Sequence, residues 1–261
     1  MATFIPFLNL PRLSTSNFTI YLCSTRVNLD SITLSIGKPS PYDDVIKLVE
    51  LQIPPSPELP PEMLTTKNLP PHLLPILIKA FQTSKSSFLD IMNSVKPDLL
   101  IYDSFQPWAP KLASSIRKIP SVHFSTVCTT PVSFYHHTFS KGTNSPYPYE
   151  AIYLHDNEWI NLTDLKSIQG SYEADDDEFM FGNFTLSTDI VLMNGSRVVE
   201  EKHRDYLSVL SGKRIMFTGP LIPNPDEEQS SEIVEWLNTQ NKGSTVYISF
   251  GSECFLSDEQ I

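Results

Sequence analysis

The chain has 261 residues, of which 40% are hydrophobic and 19% charged, and its formal net charge is −11. This length allows one large domain or two smaller ones with a substantial core. The negative charge argues against nucleic acid or an anionic membrane surface as the main partner, because both would repel the chain. No apolar run approaches the roughly 18 residues that a spanning helix needs, and the first residues lack a secretory signal pattern. These features predict a cytoplasmic protein without integral membrane contact.

The three cysteines, Cys23, Cys128 and Cys254, are spread along the chain without the spacing of metal ligands. They are therefore predicted to be reduced thiols that fill small apolar spaces. No cluster of acids or histidines has ligand spacing either, so no metal is predicted.

The first part of the chain alternates between helix and strand patterns. Residues 5–13 suit the first helix of an α/β unit, although no strand precedes them, and Phe18–Ser24 and Ile46–Leu51 are each about one strand long. Pro54–Pro75 is too rich in proline for a regular sheet or an uninterrupted helix, and it is predicted to be an extended loop. Leu73–Met92 then has apolar residues at helical spacing.

Asp103 is the first candidate site residue along the chain. A Lys-Pro-Asp turn leads into a short buried strand at Leu99–Tyr102, and Asp103 stands at the carboxyl end of that strand, before a helix predicted from Trp108 to Ile116. Ligands gather at the carboxyl ends of strands in open α/β sheets. An acid at such a place is either a site residue or the cap of the next helix, and the local sequence leaves both interpretations open.

The alternation continues to residue 217, apart from an irregular aromatic and acidic segment at Gly142–Leu186, which is either a solvated loop or the wall of a substrate pocket. Strands and helices of these lengths predict a Rossmann-like, doubly wound parallel sheet. The predicted elements are strand Ser121–Phe124, helix Pro131–Phe139, strand Ile190–Asn194, helix Ser196–Leu210 and strand Ile215–Phe217.

A linker and a second α/β unit are predicted after residue 218. Residues 219–230 are rich in proline and charge, as linkers are. Ser231 can cap a helix through Asn238, and Ser244–Phe250 has a strong strand pattern. We therefore predict an amino-terminal domain at 1–218, a linker at 219–230 and the start of a truncated second domain at 231–261.

Five motifs together resemble the plant family-1 UDP-sugar glycosyltransferases, and the similarity covers essentially the whole chain. They are Pro97–Asp103, Phe124–Thr126, Gly219–Leu221, Val234–Leu237 and Ser244–Ser252. Two further motifs, Val27–Leu29 and Asn68–His72, are similar to the branch-forming subgroup, which adds a sugar to a sugar already present on a flavonoid or terpenoid glycoside.

The resemblance implies a GT-B fold, in which two Rossmann-like domains face each other across a cleft. This chain would then comprise the acceptor-binding domain, without its first strand, and the first α/β unit of the UDP-sugar domain. The implied activity is inverting transfer of a hexose, expected to be glucose, to a hydroxyl of a plant secondary metabolite or its glycoside. UDP-sugar would be a co-substrate, no cofactor or metal is implied, and the full-length protein is expected to be a monomer.

The resemblance also implies residue roles. In the family a histidine deprotonates the acceptor hydroxyl, and an aspartate, here Asp103, orients that histidine. Ordinary turn, cap or core positions are the alternative for each of the other implied residues. These are Phe105 and Tyr135 toward the acceptor, and Thr126, Gly251 and Ser252 toward the donor sugar and diphosphate.

The sequence departs from the family at the general base. Thr3 stands where the histidine is expected, and a threonine hydroxyl is not basic enough to replace an imidazole. His136 and His137 are the candidates for a replacement base. The family's long donor-binding box is also absent from the sequence, so we expect a chain truncated at both ends and inactive as written. The alternatives are a non-catalytic glycoside-binding protein or, with the family set aside, a two-lobed α/β protein that binds small molecules.

Overall fold

The computed structural model describes residues 18–36, 44–142, 145–155, 183–219 and 232–248. Strands and helices alternate along these residues, which confirms the predicted α/β class. The elements are β1 (Ile20–Ser24), α1 (Arg26–Ile36), β2 (Ile46–Glu50), α2 (Leu74–Gln82), α3 (Lys85–Val95), β3 (Leu100–Tyr102), α4 (Trp108–Arg117), β4 (Ser121–Cys128), α5 (Thr129–Lys141), β5 (Ile190–Asn194), α6 (Arg197–Ser211), β6 (Arg214–Phe217) and α7 (Glu232–Asn238).

The described strands form two parallel sheets. β1 pairs with β2, and β3, β4, β5 and β6 lie in that order in a four-stranded sheet. Parallel neighbours need a crossover connection, and the helices α4, α5 and α6 lie in the three crossovers of the larger sheet. Because its strands all run the same way, their carboxyl ends share one edge, where the turns after β3 to β6 meet.

Two buried apolar clusters hold the helices against the larger sheet. In the first, the Phe88 ring meets the Trp108 ring edge-on at 5.2 Å between centroids, which joins α3 to α4. The second cluster lies between β5, β6, α5 and α6. Its members are Val132, Phe184, Val191, Met193, Leu207 and Ile215.

The helical pattern of Leu73–Met92 forms two helices instead of one. The Thr83 hydroxyl donates to the Ala80 carbonyl at 2.6 Å, and the Ser84 hydroxyl donates to the Phe81 carbonyl at 2.6 Å. Hydroxyls that bind preceding carbonyls compete with the helical hydrogen bonds, so the first helix ends here. α3 then starts at Lys85.

The proline-rich segment is folded instead of extended. It contains short 3-10 turns at Pro61–Met63 and Pro71–Leu73. Leu59 and Leu69 are buried and pack with Leu77 of α2. This small cluster holds the segment against the helix, which proline content alone does not indicate.

Residues 244–248, the described part of the strand predicted at Ser244–Phe250, are not in a strand. Val246, Tyr247 and Ile248 are 80%, 89% and 72% exposed. A β-rich sequence becomes a strand where a neighbour accepts and donates its hydrogen bonds, and no described strand pairs with these residues. The predicted helix before it is present as α7, but none of its residues is buried.

Other boundaries also differ from the predictions. β4 continues past Phe124 to Cys128, and α1 has no counterpart among the predicted elements. The helix predicted over residues 5–13 and residues 220–230 of the predicted linker lie outside the described residues.

Candidate active site

Asp103 and Thr126, predicted from separate motifs, lie at the same edge of the larger sheet. β3 and β4 are adjacent and parallel, and their register places Tyr102 opposite His123. Asp103 follows β3 directly, and Thr126 is in the last part of β4. The fold thus brings the predicted catalytic carboxylate and a predicted donor-side hydroxyl to neighbouring strand ends.

The Asp103 side chain folds back onto its own turn. Its Oδ1 accepts a hydrogen bond from the backbone amide of Phe105 at 2.9 Å, as in an Asx turn. Burial raises the pKa of the Asp103 carboxyl above its ordinary value, and the Phe105 hydrogen bond opposes that change. The result is a carboxylate in a fixed position with increased proton affinity, which can accept a strong hydrogen bond from a cationic partner.

Phe105, whose backbone amide binds this carboxylate, has an exposed aromatic side chain. The side chain is 45% exposed, and the Phe105 carbonyl accepts a hydrogen bond from Gln82 Nε2 of α2 at 3.1 Å. A ring held by its backbone at the edge of a sheet offers an apolar surface to a flat ligand. The acceptor-side role of Phe105 remains a prediction.

Polar contacts of Tyr102 and Ser104, the residues on either side of Asp103, hold the Asp103 turn to neighbouring parts of the fold. Ser104 Oγ lies 3.3 Å from Nε2 of His123, and the Ser104 carbonyl accepts from Nδ2 of Asn183. The Tyr102 hydroxyl donates to the Asn183 carbonyl at 2.9 Å. The turn is thus joined to β4 and to the 3-10 turn at Asn183–Leu186.

His123 and Asn183 were not found from the sequence. Burial lowers the pKa of His123 to about 3, so the ring is neutral near neutral pH and is too weak a base to take a proton from a hydroxyl. Within the described part of the chain, Nδ1 of His123 and Oδ1 of Asn183 are buried without a hydrogen-bond partner. The position of His123 inside a predicted strand was one available signal, and Asn183 had none.

His137 is excluded as a replacement base by its contacts. Its Nδ1 contacts the Tyr206 hydroxyl and its Nε2 contacts the Ser145 carbonyl at 3.0 Å. Both ring nitrogens therefore have partners within the protein, and neither is left for a substrate proton. His136 is half-buried, with its ring 4.9 Å from the Phe184 ring, and burial lowers its pKa.

Tyr135 is half-buried on α5, with its ring edge-on to Phe134 at 5.6 Å. Its acceptor-side role remains a prediction. Thr3, Gly251 and Ser252 lie outside the described residues, so their roles also remain predictions. Across the described ranges, no group of three His, Cys, Asp or Glu side chains could hold a metal ion, and no helix is long and apolar enough to cross a membrane.

No family model matches the chain, but named plant proteins match nearly all of it. It is 41% identical over 263 residues to "Mogroside IIIx synthase" of Siraitia grosvenorii, covering 98% of this chain and 54% of that protein. It is 38% identical to "UDP-glucosyltransferase 29" of Panax ginseng, with 98% and 56% covered. It is also 38% identical to "Beta-D-glucosyl crocetin beta-1,6-glucosyltransferase" of Gardenia jasminoides, with 98% and 58% covered. The chain thus spans little more than half the length of these relatives.

Solved structures of a plant enzyme have a similar fold. Arabidopsis thaliana UGT89C1 complexed with UDP matches with a TM-score of 0.68 at 20% identity, over 98% of this chain and 57% of that one. The same protein complexed with quercetin matches with a TM-score of 0.66 at 21% identity, over 98% and 57%. At this level of identity the likeness shows the fold alone. One of these two structures contains UDP and the other contains quercetin.

Proposed function

We propose that this chain, which belongs to the plant UDP-glycosyltransferase family, forms the acceptor-binding part of an inverting glycosyltransferase. The acceptor would be a hydroxyl of a plant secondary metabolite or its glycoside, and the donor a UDP-hexose, expected to be UDP-glucose. The observation that carries the proposal is the Asp103 turn, with its half-buried carboxylate and exposed Phe105 ring at the carboxyl edge of a parallel sheet. A glycoside acceptor is supported by the Gardenia jasminoides relative, which is named for glucosyl crocetin.

In the proposed reaction, the acceptor oxygen attacks the anomeric carbon from the face opposite the nucleotide. The bond between that carbon and the diphosphate oxygen breaks, UDP leaves, and the configuration at carbon is inverted. A general base takes the hydroxyl proton. Asp103 would accept a hydrogen bond from that base and stabilise the positive charge that develops on it.

The base itself would be a histidine at the place occupied here by Thr3. A threonine hydroxyl does not accept a proton near neutral pH, and neither His123 nor His137 is suited to the role. We therefore propose that the 261 residues alone do not catalyse transfer. Turnover would require the histidine and the remainder of a UDP-sugar domain.

The remaining assignments stay proposals of the same kind. Residues 1–218 would form the acceptor-binding domain, 219–230 the linker and 231–261 the start of the UDP-sugar domain. Thr126, Gly251 and Ser252 would contact the donor, and Tyr135 would join Phe105 on the acceptor side. We also propose a cytoplasmic location and a monomeric full-length protein, which cell fractionation and light scattering can check.

A second candidate is a protein that binds glycosides without transferring sugar. It is favoured by Thr3 at the position of the base, together with the exposed Phe105 ring. Calorimetry distinguishes the two: the chain as given would bind a flavonoid monoglucoside in the absence of UDP-sugar, and replacement of Phe105 by Ala would weaken that binding.

The main experiment compares the chain as given with an extended chain. The extension adds the first strand, with its histidine, and the rest of the second domain, both taken from the Panax ginseng relative. UDP release is measured with UDP-glucose and a flavonoid monoglucoside. We expect turnover by the extended chain alone. Turnover by the 261 residues would show that the base is assigned wrongly, and His136 would be mutated next.

A further inference from the structure

Glu200 is a buried carboxylate that the proposed reaction does not use. It lies in the first turn of α6 and is 6% exposed. Its Oε1 accepts two hydrogen bonds from Thr130, one from the backbone amide at 2.8 Å and one from the hydroxyl at 2.6 Å. Thr130 is the second residue of α5, so the carboxylate of one helix caps the amino terminus of another.

The α5 terminus has few other ways to satisfy its amides. Cys128 is the N-cap residue and its side chain makes no capping hydrogen bond. Pro131 follows Thr130 and has no amide hydrogen to donate. A negative charge at this end also interacts favourably with the helix dipole. Glu200 thus supplies both the acceptor and the charge that the local sequence of α5 lacks.

The carboxylate fits a slot at the carboxyl ends of β5 and β6. A Cβ atom added to Gly195 would lie 2.6 Å from Oε2 of Glu200 and 2.8 Å from the Phe217 ring. At these distances a Cβ at position 195 would displace the Glu200 carboxylate or the Phe217 ring, so glycine lets both occupy their present positions. The Glu200 carboxylate and the Phe217 ring thus both lie close to the backbone of Gly195, the residue that follows β5.

Thr126 lies in the last part of β4, just before the α5 terminus that Glu200 caps. The pairing of β4 with β5 shifts between Ser125 and Cys128, so this part of β4 leaves the regular hydrogen-bond pattern. Side-chain hydrogen bonds fix this irregular part of β4. Asn194 Nδ2 donates to the Thr126 carbonyl at 3.1 Å, and Ser125 Oγ accepts from the Val127 amide at 3.1 Å.

We propose that Glu200 is a positioning residue of the transfer site, which fixes the segment from Thr126 to Thr130, where β4 ends and α5 begins, so that Thr126 meets the donor sugar. This inference rests on the proposed function. It also assigns the α5 terminus to a carboxylate of the protein, so the diphosphate of UDP-sugar has to find its amide donors elsewhere. Glu200 acts through this segment and does not itself touch the substrate.

Cys128 gives a direct readout of the Glu200 charge. The thiol is exposed, and its pKa is raised by partial burial and by the nearby Glu200 carboxylate. A cysteine at a helix amino terminus without such a charge would have a lower pKa and more reactive thiolate. Removal of the charge should therefore activate Cys128.

The first arm uses the 261-residue chain with Cys23→Ser and Cys254→Ser, so that Cys128 is the reactive thiol. Glu200→Gln keeps the size and an acceptor oxygen but removes the charge, and we expect iodoacetamide alkylation at pH 8 to become about threefold to tenfold faster. Glu201→Gln is the matched control, because Glu201 is the next residue and its exposed carboxylate contacts Arg204 instead. Equal alkylation rates in Glu200→Gln, Glu201→Gln and the parent would overturn the inference.

The second arm uses the extended transferase. Glu200→Gln weakens the charge-assisted hydrogen bonds to Thr130, and we expect the KM for UDP-glucose to rise about fivefold while the acceptor KM is unchanged. If circular dichroism shows that this variant does not fold, Thr130→Val, which removes one of the two donors, should raise the same KM about twofold.

The two arms separate failure of the inference from failure of the proposed function. Faster alkylation with an unchanged KM for UDP-glucose would overturn the positioning role and leave Glu200 as a helix cap. An extended parent without turnover would overturn the proposed function, and the positioning role with it, whatever the alkylation rates.

Discussion

β4 and residues 244–248 have similar β-rich sequences and different environments. β4 (Ser121–Cys128) lies between β3 and β5 and is buried over most of its length. Residues 244–248 have no strand beside them among the described residues, and their apolar side chains are exposed. Hydrogen-bonding neighbours, and not propensity alone, therefore decide where a strand forms in this chain.

The largest effect expected from this comparison is on stability. Phe184 is 1% exposed in the cluster between β5, β6, α5 and α6. Phe184→Ala would leave a cavity and lower the free energy of unfolding by about 3–5 kcal/mol in urea denaturation. Trp236→Ala is the control in α7, the helix without buried residues that precedes residues 244–248. Trp236 is 55% exposed, and this change should cost about 0.5 kcal/mol or less. Equal losses of unfolding free energy in Phe184→Ala and Trp236→Ala would contradict the expectation that the larger sheet is packed and the segment around α7 is not.

A smaller effect is expected from acid, which acts on the larger sheet through His123. Its pKa is about 3 in the folded chain, below the ordinary value of 6.5. His123 therefore takes up a proton in the unfolded chain as pH falls below 6.5, while His123 in the folded chain stays neutral until the pH approaches 3. Stability is fully present above that pH and is lost as pH falls toward 3. The His123 contribution to the loss between pH 7 and pH 5 should be about 2 kcal/mol.

Urea denaturation at the two pH values checks this expectation. His136 and His203, whose pKa values are also lowered by burial, add to the loss in the same direction. His123→Gln should remove the His123 share of it. His72→Gln, which changes an exposed histidine, should leave it intact. If His123→Gln and the parent chain lost the same unfolding free energy between pH 7 and pH 5, another group would be the cause.

The elements that were predictable have strong local signals. Ser196 was predicted to begin a helix, and its hydroxyl accepts from the Val198 amide at the start of α6. Asp103 follows a short apolar run after a turn, and it lies at the end of β3 as expected. α1 was not predicted: it has neither an acid in its first turn nor a base in its last turn.

The contacts around the site were not predictable because their partners are distant in sequence. Ser104 meets His123 and Asn183, and Thr130 meets Glu200. No spacing rule connects such residues, since the crossovers between parallel strands decide which of them meet. The sequence could therefore indicate which strand ends carry chemistry, but not which side chains hold those ends in place.

The central claim is that Asp103 orients the general base of a glycosyltransferase. The most direct measurement is kcat/KM of the extended chain for the flavonoid monoglucoside, with Asp103→Asn compared to Asp98→Asn, an exposed carboxylate just before β3. We expect Asp103→Asn to lower kcat/KM by about a hundredfold to ten-thousandfold, and Asp98→Asn to leave it within about twofold. Similar activity in both variants and the parent would contradict the assignment of Asp103.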